Sequence, residues 1–133
     1  MLKLEIVTPE KKVFDADVDS VTVPTATGEA GILPNHAPLI SALKPGILAY
    51  SNNGTVERLA VSGGFVEVSN NRVSVLTDTA ETASEIDPAI VRTDREAAER
   101  ELASHAAAPI EETESLRERL EAADTRLRLA AGK

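Results

Sequence analysis

Residues 28–46 constrain the fold more than any other stretch, because they concentrate glycine and proline around one histidine. Glycine permits positive φ and close backbone approach, whereas proline fixes φ and lacks a donor, so a regular helix is excluded here. We predict a stiff, shaped loop between two strands that presents Ile32, Leu33 and Leu39 to a partner. A rigid loop with apolar side chains is better suited to docking than to catalysis.

The rest of the chain up to about residue 84 has the period-two hydrophobicity of half-buried strands, as in Leu2, Leu4 and Ile6. Asn52–Gly54 separates two apolar runs and predicts a hairpin, because asparagine and glycine tolerate the positive φ of a type I′ turn. Residues 69–72 predict a second hairpin. Several short strands at this spacing predict an antiparallel β-sandwich or flattened barrel.

Composition changes near residue 84, after which alanine, glutamate and arginine dominate. Asp87 and Pro88 predict a helix start, as an N-cap followed by proline at the first helical position. A Pro-containing break at residues 104–109 separates two helical patterns. Their apolar stripes are Val91, Ala98 and Leu102 in the first, and Leu116, Leu120, Ala123, Leu127 and Ala130 in the second. We predict a β-domain over residues 1–84 and an antiparallel helical hairpin over residues 85–133.

The helical hairpin is rich in alanine, whose methyl group contributes well under the roughly 1.5–3 kcal/mol of a buried Leu or Phe. Surface i,i+4 charge pairs add only about 0.2–0.5 kcal/mol each. Such helices can persist individually while their attachment to the β-domain stays weak. We therefore predict a stable head, residues 1–84, with a movable tail, residues 85–133.

The overall charge excludes some partners. The formal net charge is −8, and both parts contribute equally: residues 1–84 hold 6 basic and 10 acidic residues, and residues 85–133 hold 8 and 12. Nucleic acid and anionic lipid both require a basic surface, so neither is expected as a partner. No apolar run approaches the roughly 20 residues that span a bilayer. Without cysteine or a recognisable leader, we expect a soluble intracellular protein without direct membrane insertion.

No residue pattern predicts catalysis, a cofactor or a metal site. His36 and His105 lack nearby nucleophiles or paired ligands, so we expect His36 to brace its loop through hydrogen bonds. Gly63-Gly64 and the Gly28–Gly31 pair lack the residues of a nucleophile elbow or a phosphate loop and are interpreted as backbone-packing glycines. The acidic run at residues 15–19 lacks the glycine and glutamate of a calcium loop and is interpreted as a solvated strand edge.

Basic residues of the second helix leave two interpretations open. Arg117 and Arg128 lie on nearly one helical face, and Arg119 and Arg126 are a heptad apart. Either the helix is solvated and its arginines form internal ion pairs, or they form a face that docks on an acidic partner or an anionic ligand.

The run G-E-A-G-I-L-P-N-H-A-P-L-I-S-A-L-K-P-G at residues 28–46 resembles the epsilon subunit of bacterial and chloroplast rotary (F-type) ATP synthases. S-G-G-F-V-E-V at residues 62–68 and V-S-V-L-T-D-T at residues 73–79 are similar to later strands of that family. The resemblance implies a non-catalytic subunit whose head binds the gamma subunit and the c-subunit ring and couples rotation to ATP synthesis. It implies contacts to these partners by Glu29, Gly31, Ile32 and His36, in the loop facing the c ring and gamma.

The same resemblance implies that the tail extends toward the catalytic alpha and beta subunits and inhibits ATP hydrolysis, with Arg117, Arg119, Arg126 and Arg128 in the comparable region. It implies a peripheral location at the cytoplasmic face of the bacterial plasma membrane. Some relatives bind ATP through an I/L-D-x-x-R-A motif. Here Ile90-Val91 replaces its Arg-Ala, so we expect weak or absent ATP binding.

Two other classes fit the residues alone. One is an adaptor or ligand-binding β-sandwich with a regulatory helical tail. The other is a hydrolase that uses His36, which predicts turnover by the isolated chain and is not expected.

Overall fold

The computed structural model describes residues 1–132, which form eight strands, a short 3-10 turn and two helices. The elements are β1 (Leu2–Val7), β2 (Lys12–Val18), β3 (Ser20–Thr25), β4 (Gly28–Ile32), β5 (Leu39–Asn52), β6 (Thr55–Ser69), β7 (Arg72–Leu76), β8 (Ala80–Glu81), the turn Ala83–Glu85, α1 (Pro88–Ser104) and α2 (Ile110–Ala130).

Hydrogen bonding runs continuously through the strands in the order β2-β1-β7-β6-β5-β3-β4, and β8 pairs with β6. All neighbours are antiparallel except β1 and β7, which run parallel. A parallel pair needs a long connection rather than a hairpin, and here residues 8–71 supply it. The predicted antiparallel sandwich is therefore confirmed with one parallel pair.

The two long strands β5 and β6 turn a corner together and so belong to both halves of the fold. Leu43 pairs with Gly64, and Pro45 pairs with Ser62. Gly63 and Gly64 have φ values of 107° and 111°, which side-chain-bearing residues rarely adopt. Glycine at such a bend lets one strand pass from one layer to the next.

The two halves close over a shared aliphatic core. Fully buried side chains come from strands on both sides, including Leu4 of β1, Val23 of β3 and Leu48 of β5. Phe14 of edge strand β2 packs on Tyr50 of β5 with ring centroids 4.5 Å apart. This contact joins strands that are distant in the sheet order, as expected for a flattened barrel.

Both predicted hairpins are confirmed. Asn53 and Gly54 have φ values of 53° and 81°, and Asn70 and Asn71 have values of 51° and 59°. Asparagine tolerates this left-handed region better than most residues, so each turn contains the residue type that its geometry needs.

The predicted loop over residues 28–46 is wrong in its extent. Residues 28–32 form β4, which pairs with β3, and β5 begins at Leu39, so only residues 33–38 lie outside strands. The glycines and prolines exclude a helix but not an extended strand, and pairing with Val21–Thr25 stabilises β4 despite its two glycines.

The helical hairpin begins where the sequence predicts. The Asp87 side chain accepts a hydrogen bond from Ala89 N at 3.0 Å, and Pro88 is the first helical residue. Val91 and Ala98 of the predicted first stripe are buried. In α2 the predicted stripe is buried only at Ala123; the other buried residues are Thr113, Thr125 and Leu129.

The buried surface of α2 is broader than the predicted stripe, because α2 packs against both α1 and the sheet. Its attachment to the head is a small apolar cluster built around Ala60, Ile86, Val91, Ala123 and Leu129. Two of these five residues are alanines, and burying an alanine side chain removes little apolar surface from water.

Candidate functional site

An exposed apolar row crosses four strands on the outer face of the head. Cross-strand pairing aligns Ala42, Phe65, Leu76 and Val7, in that order, across β5, β6, β7 and β1. Phe65 is 60% exposed and Leu76 is 55% exposed, while Val7 is half-buried. Ile40, two residues before Ala42, is 74% exposed. A contiguous apolar surface of this kind marks an interaction site more often than isolated exposed side chains do.

This row was not among the sequence predictions. The signal was present in β6, where Phe65 alternates with the buried Val66 and Val68 and must therefore face away from the core. The pairing of Phe65 with Leu76 and Ala42, which makes the row continuous, is visible only in the sheet register.

Residues 33–38 form a braced loop next to the start of β5. The His36 backbone N–H donates to the Leu33 carbonyl at 3.1 Å, and His36 Nδ1 donates to the Ala37 carbonyl at 2.7 Å. The predicted bracing role of His36 is therefore confirmed. Leu33 is 63% exposed, so the loop presents an apolar side chain as predicted.

The predicted exposure of Ile32 is wrong, because its side chain is fully buried in the core of the head. Ile32 pairs with Val21 at the end of β4, where strand alternation turns it inward. Leu39 is half-buried against the same core. Of the three apolar residues expected to face a partner, only Leu33 is fully available.

Glu29 and Gly31 lie on strand β4 rather than in the loop. Glu29 is exposed near the β3–β4 turn, and lines a cleft of about 870 Å³ with Lys44 and, from α2, Arg128. His36 lies beyond the opposite end of β4. The structure therefore does not bring Glu29 and His36 together on one loop.

Gly31 is not the backbone-packing glycine that was predicted. It has no positive φ, and a Cβ added there would meet nothing within 4 Å. Gly28 differs, because its φ of 128° explains the glycine at the turn. Nothing inside the described chain requires glycine at position 31, and glycine in an exposed strand often marks a close approach by another backbone.

Two arginines of α2 connect this helix to other elements. Arg119 forms an ion pair with Asp94 of α1, and its hydrogen bonds hold the pKa of the Asp94 carboxyl below its ordinary value. Arg126 Nη2 donates to Glu81 Oε2 of β8 at 3.1 Å, and its Nε lies 2.8 Å from Oε1 without the angle of a hydrogen bond. Arg126 thus links tail to head by one hydrogen bond and by charge.

The other two arginines bond within their own helix. Arg117 donates to the Ile110 carbonyl at 2.9 Å and to the Thr113 hydroxyl, and Arg128 donates to the Thr125 hydroxyl at 3.3 Å. Arg119 and Arg126 thus form the internal ion pairs of the first interpretation, whereas the partners of Arg117 and Arg128 are uncharged. Whether they also contact a second protein stays a prediction.

The departure from the ATP motif lies at the start of α1. Asp87 is occupied in capping the helix, and Ile90 is 66% exposed. Among residues 1–132, no group of three or more His, Cys, Asp or Glu side chains is arranged to hold a metal ion. Within the same residues, neither helix has both the length and the hydropathy needed to cross a bilayer.

Residues 1–83 match the sequence model of a family described as the ATP synthase delta/epsilon chain, beta-sandwich domain. The ATP synthase epsilon chain of Desulforamulus reducens is 51% identical over 102 residues, covering 77% of each chain. The epsilon chain of Desulfitobacterium hafniense is 51% identical over 84 residues, covering 63% of this chain and 64% of its own length.

Solved structures are similar over most of the chain. A chain of the Euglena gracilis mitochondrial ATP synthase, in a complex of OSCP, F1 and c-ring, aligns with a TM-score of 0.79 and 25% identity, covering 98% of this chain and 81% of its own. A chain of the Tetrahymena thermophila central stalk and c-ring has the same fold, with a TM-score of 0.55 and 21% identity over 70% of this chain and 71% of its own. By its head and by its relatives, this chain belongs to the delta/epsilon family of ATP synthase chains, as an epsilon chain.

Proposed function

We propose that this chain is a subunit of the central stalk of a proton-translocating ATP synthase and couples rotation of the c ring to ATP synthesis. Epsilon chains are non-catalytic accessory subunits of that complex. The observation that carries the proposal is the exposed apolar row, which a chain working alone would leave in water. We further propose a peripheral location, as part of this complex, at the cytoplasmic face of the bacterial plasma membrane.

Two separate parts of the head suit two different contacts. The apolar row, Ile40 and the loop at residues 33–38 expose apolar side chains, as the core of a long-lived protein interface does. We assign this surface to the gamma subunit. The Glu29 end is polar, and we assign it to the polar surface of the c ring. The open space around Gly31 would let a partner backbone approach closely.

Reversing the charge of Glu29 tests the second contact. In the reconstituted complex, Glu29→Lys is expected to lower ATP-driven proton transport several-fold while ATP turnover persists, because the reversed charge disrupts a contact made by the Glu29 carboxylate. The measurement is proton uptake per ATP hydrolysed in vesicles.

Glu57→Lys is the matched control, since Glu57 is also an exposed strand glutamate but lies on β6 near the β5–β6 turn. Equal proton uptake by wild type and Glu29→Lys would remove the contact to the ring and favour the adaptor alternative.

The helical tail, residues 85–133, is proposed as a separate regulatory unit that inhibits ATP hydrolysis when it leaves the head, residues 1–84. Its attachment is a small, partly alanine cluster and the Arg126–Glu81 pair, so a partner of moderate affinity could displace it. Release from the head would free Arg126 for acidic groups of the alpha and beta subunits, and separation of the two helices would free Arg119. Arg117 and Arg128 would join them there.

Deleting residues 85–133 is expected to raise ATP hydrolysis by the assembled complex several-fold, because the inhibitory arginines are removed while the apolar row stays intact. The assay compares initial hydrolysis rates of complexes with the full chain and with the truncated chain at equal occupancy. An unchanged rate would exclude inhibition by the tail and leave the coupling proposal standing.

A further inference from the structure

Asn71, in the turn between β6 and β7, forms hydrogen bonds with the loop at residues 33–38. Asn35 N–H donates to Asn71 Oδ1 at 2.6 Å, and Asn71 Nδ2 donates to Asn35 Oδ1 at 3.4 Å. The two residues are 36 positions apart, so these contacts exist only because the fold brings the loop and the turn together.

The loop has few other ties. The two bonds made by His36 stay within residues 33–37, and prolines at positions 34 and 38 contribute no N–H donor. Asn35 itself has a φ of 66°, a backbone conformation that needs support from its neighbours. Within residues 1–132, the hydrogen bonds that join this loop to another part of the fold are the two with Asn71.

Asn71 is well placed to act as an anchor. Its carbonyl accepts a hydrogen bond from the Lys3 N–H of β1 at 2.9 Å, so its backbone is held by a strand of the core. The neighbouring Asn70 has a similar positive φ and is also exposed, yet its side chain forms no hydrogen bond among the described residues. The turn geometry therefore accounts for asparagine at both positions, but the side-chain contact to the loop belongs to Asn71.

We propose that Asn71 is a positioning residue, which holds the loop at residues 33–38 in the shape that docks on the gamma subunit. This inference rests on the proposed function, because it assigns the loop to that interface. A loop that is ordered before binding loses less conformational entropy on docking, so the contact with Asn71 raises affinity without touching the partner.

Asn71→Gly and Asn70→Gly form a matched pair, because glycine accepts the positive φ at both turn positions and removes only the side chain. Amide hydrogen exchange of Asn35 in the isolated chain is the first readout. Loss of the Asn71 Oδ1 acceptor is expected to speed this exchange about tenfold in Asn71→Gly, and exchange in Asn70→Gly should be unchanged. Asn71→Asp should restore slow exchange, because a carboxylate oxygen can still accept from Asn35 N–H.

Affinity for a purified complex of gamma subunit and c ring is the second readout. Asn71→Gly is expected to bind about tenfold more weakly, with Asn71→Asp intermediate and Asn70→Gly equal to wild type. Unchanged exchange at Asn35, or faster exchange without weaker binding, would overturn the positioning role. Wild-type protein that fails to bind this complex would instead overturn the proposed function, and the exchange result would stand by itself.

Discussion

Replacing Gly64 with alanine is expected to destabilise the head by more than about 4 kcal/mol, which for a small domain means loss of folding at ordinary temperature. A Cβ at this position would lie 1.9 Å from the Leu76 carbonyl oxygen and 2.9 Å from the Cα of Thr77. Both are backbone atoms of the segment that pairs with β6, at the end of β7, so no side-chain rotation relieves the overlap. The φ of 111° adds strain for any residue with a side chain.

Gly63→Ala is the matched control, because it changes the adjacent residue at a similar φ of 107°, where the nearest atom to a new Cβ is the Leu43 carbonyl oxygen at 3.8 Å. Gly63→Ala should lower the free energy of unfolding only by the backbone strain, about 1–3 kcal/mol. Urea unfolding followed by circular dichroism measures both variants. Similar losses in the two would show that strain, and not the overlap with β7, makes glycine necessary at this corner.

Phe65→Asp is expected to weaken binding to the gamma subunit by about a hundredfold or more, because an unpaired carboxylate would be buried at the centre of the apolar row. Stability of the free chain should hardly change, since Phe65 is already 60% exposed. Calorimetric titration of gamma with the variant, alongside thermal unfolding of the free chain, separates the two effects.

Val56→Asp serves as the control for this substitution. Val56 lies on the same strand and is 47% exposed, but it is remote from the row, near the β5–β6 turn. It should bind as wild type does. Full binding by Phe65→Asp would place the gamma contact elsewhere on the head, and equal loss in both variants would indicate a general effect of added negative charge.

Local structure followed closely from residue type. The two hairpin turns could be predicted because asparagine and glycine are the residues that accept positive φ, and the start of α1 because Asp87 and Pro88 satisfy its first turn. The inward positions of β1 followed from simple alternation. Each of these features is decided within a few residues, where backbone sterics and capping hydrogen bonds dominate.

The structure of residues 28–46 was predicted less well from composition, because most of the expected loop is strand. Glycine and proline exclude a helix, but they do not reveal how much of a segment pairs with a distant strand. Pairing of β4 with β3 turned Ile32 into the core and separated Glu29 from His36. In α2, contact with both the sheet and α1 buried Thr113 and Thr125, whose polarity argues against burial in a sequence read alone.

The sequence by itself determined that a strand region precedes two helices, where the two hairpin turns and the cap of α1 lie, and which family the chain is similar to. These features depend on short-range sterics and on motifs of neighbouring residues. Only the tertiary structure decided that Phe65 and Leu76 form one exposed row, that Asn71 reaches the loop, and that Gly64 has no room for a side chain. Those three features depend on register between strands, and register is set by the packing of the whole core.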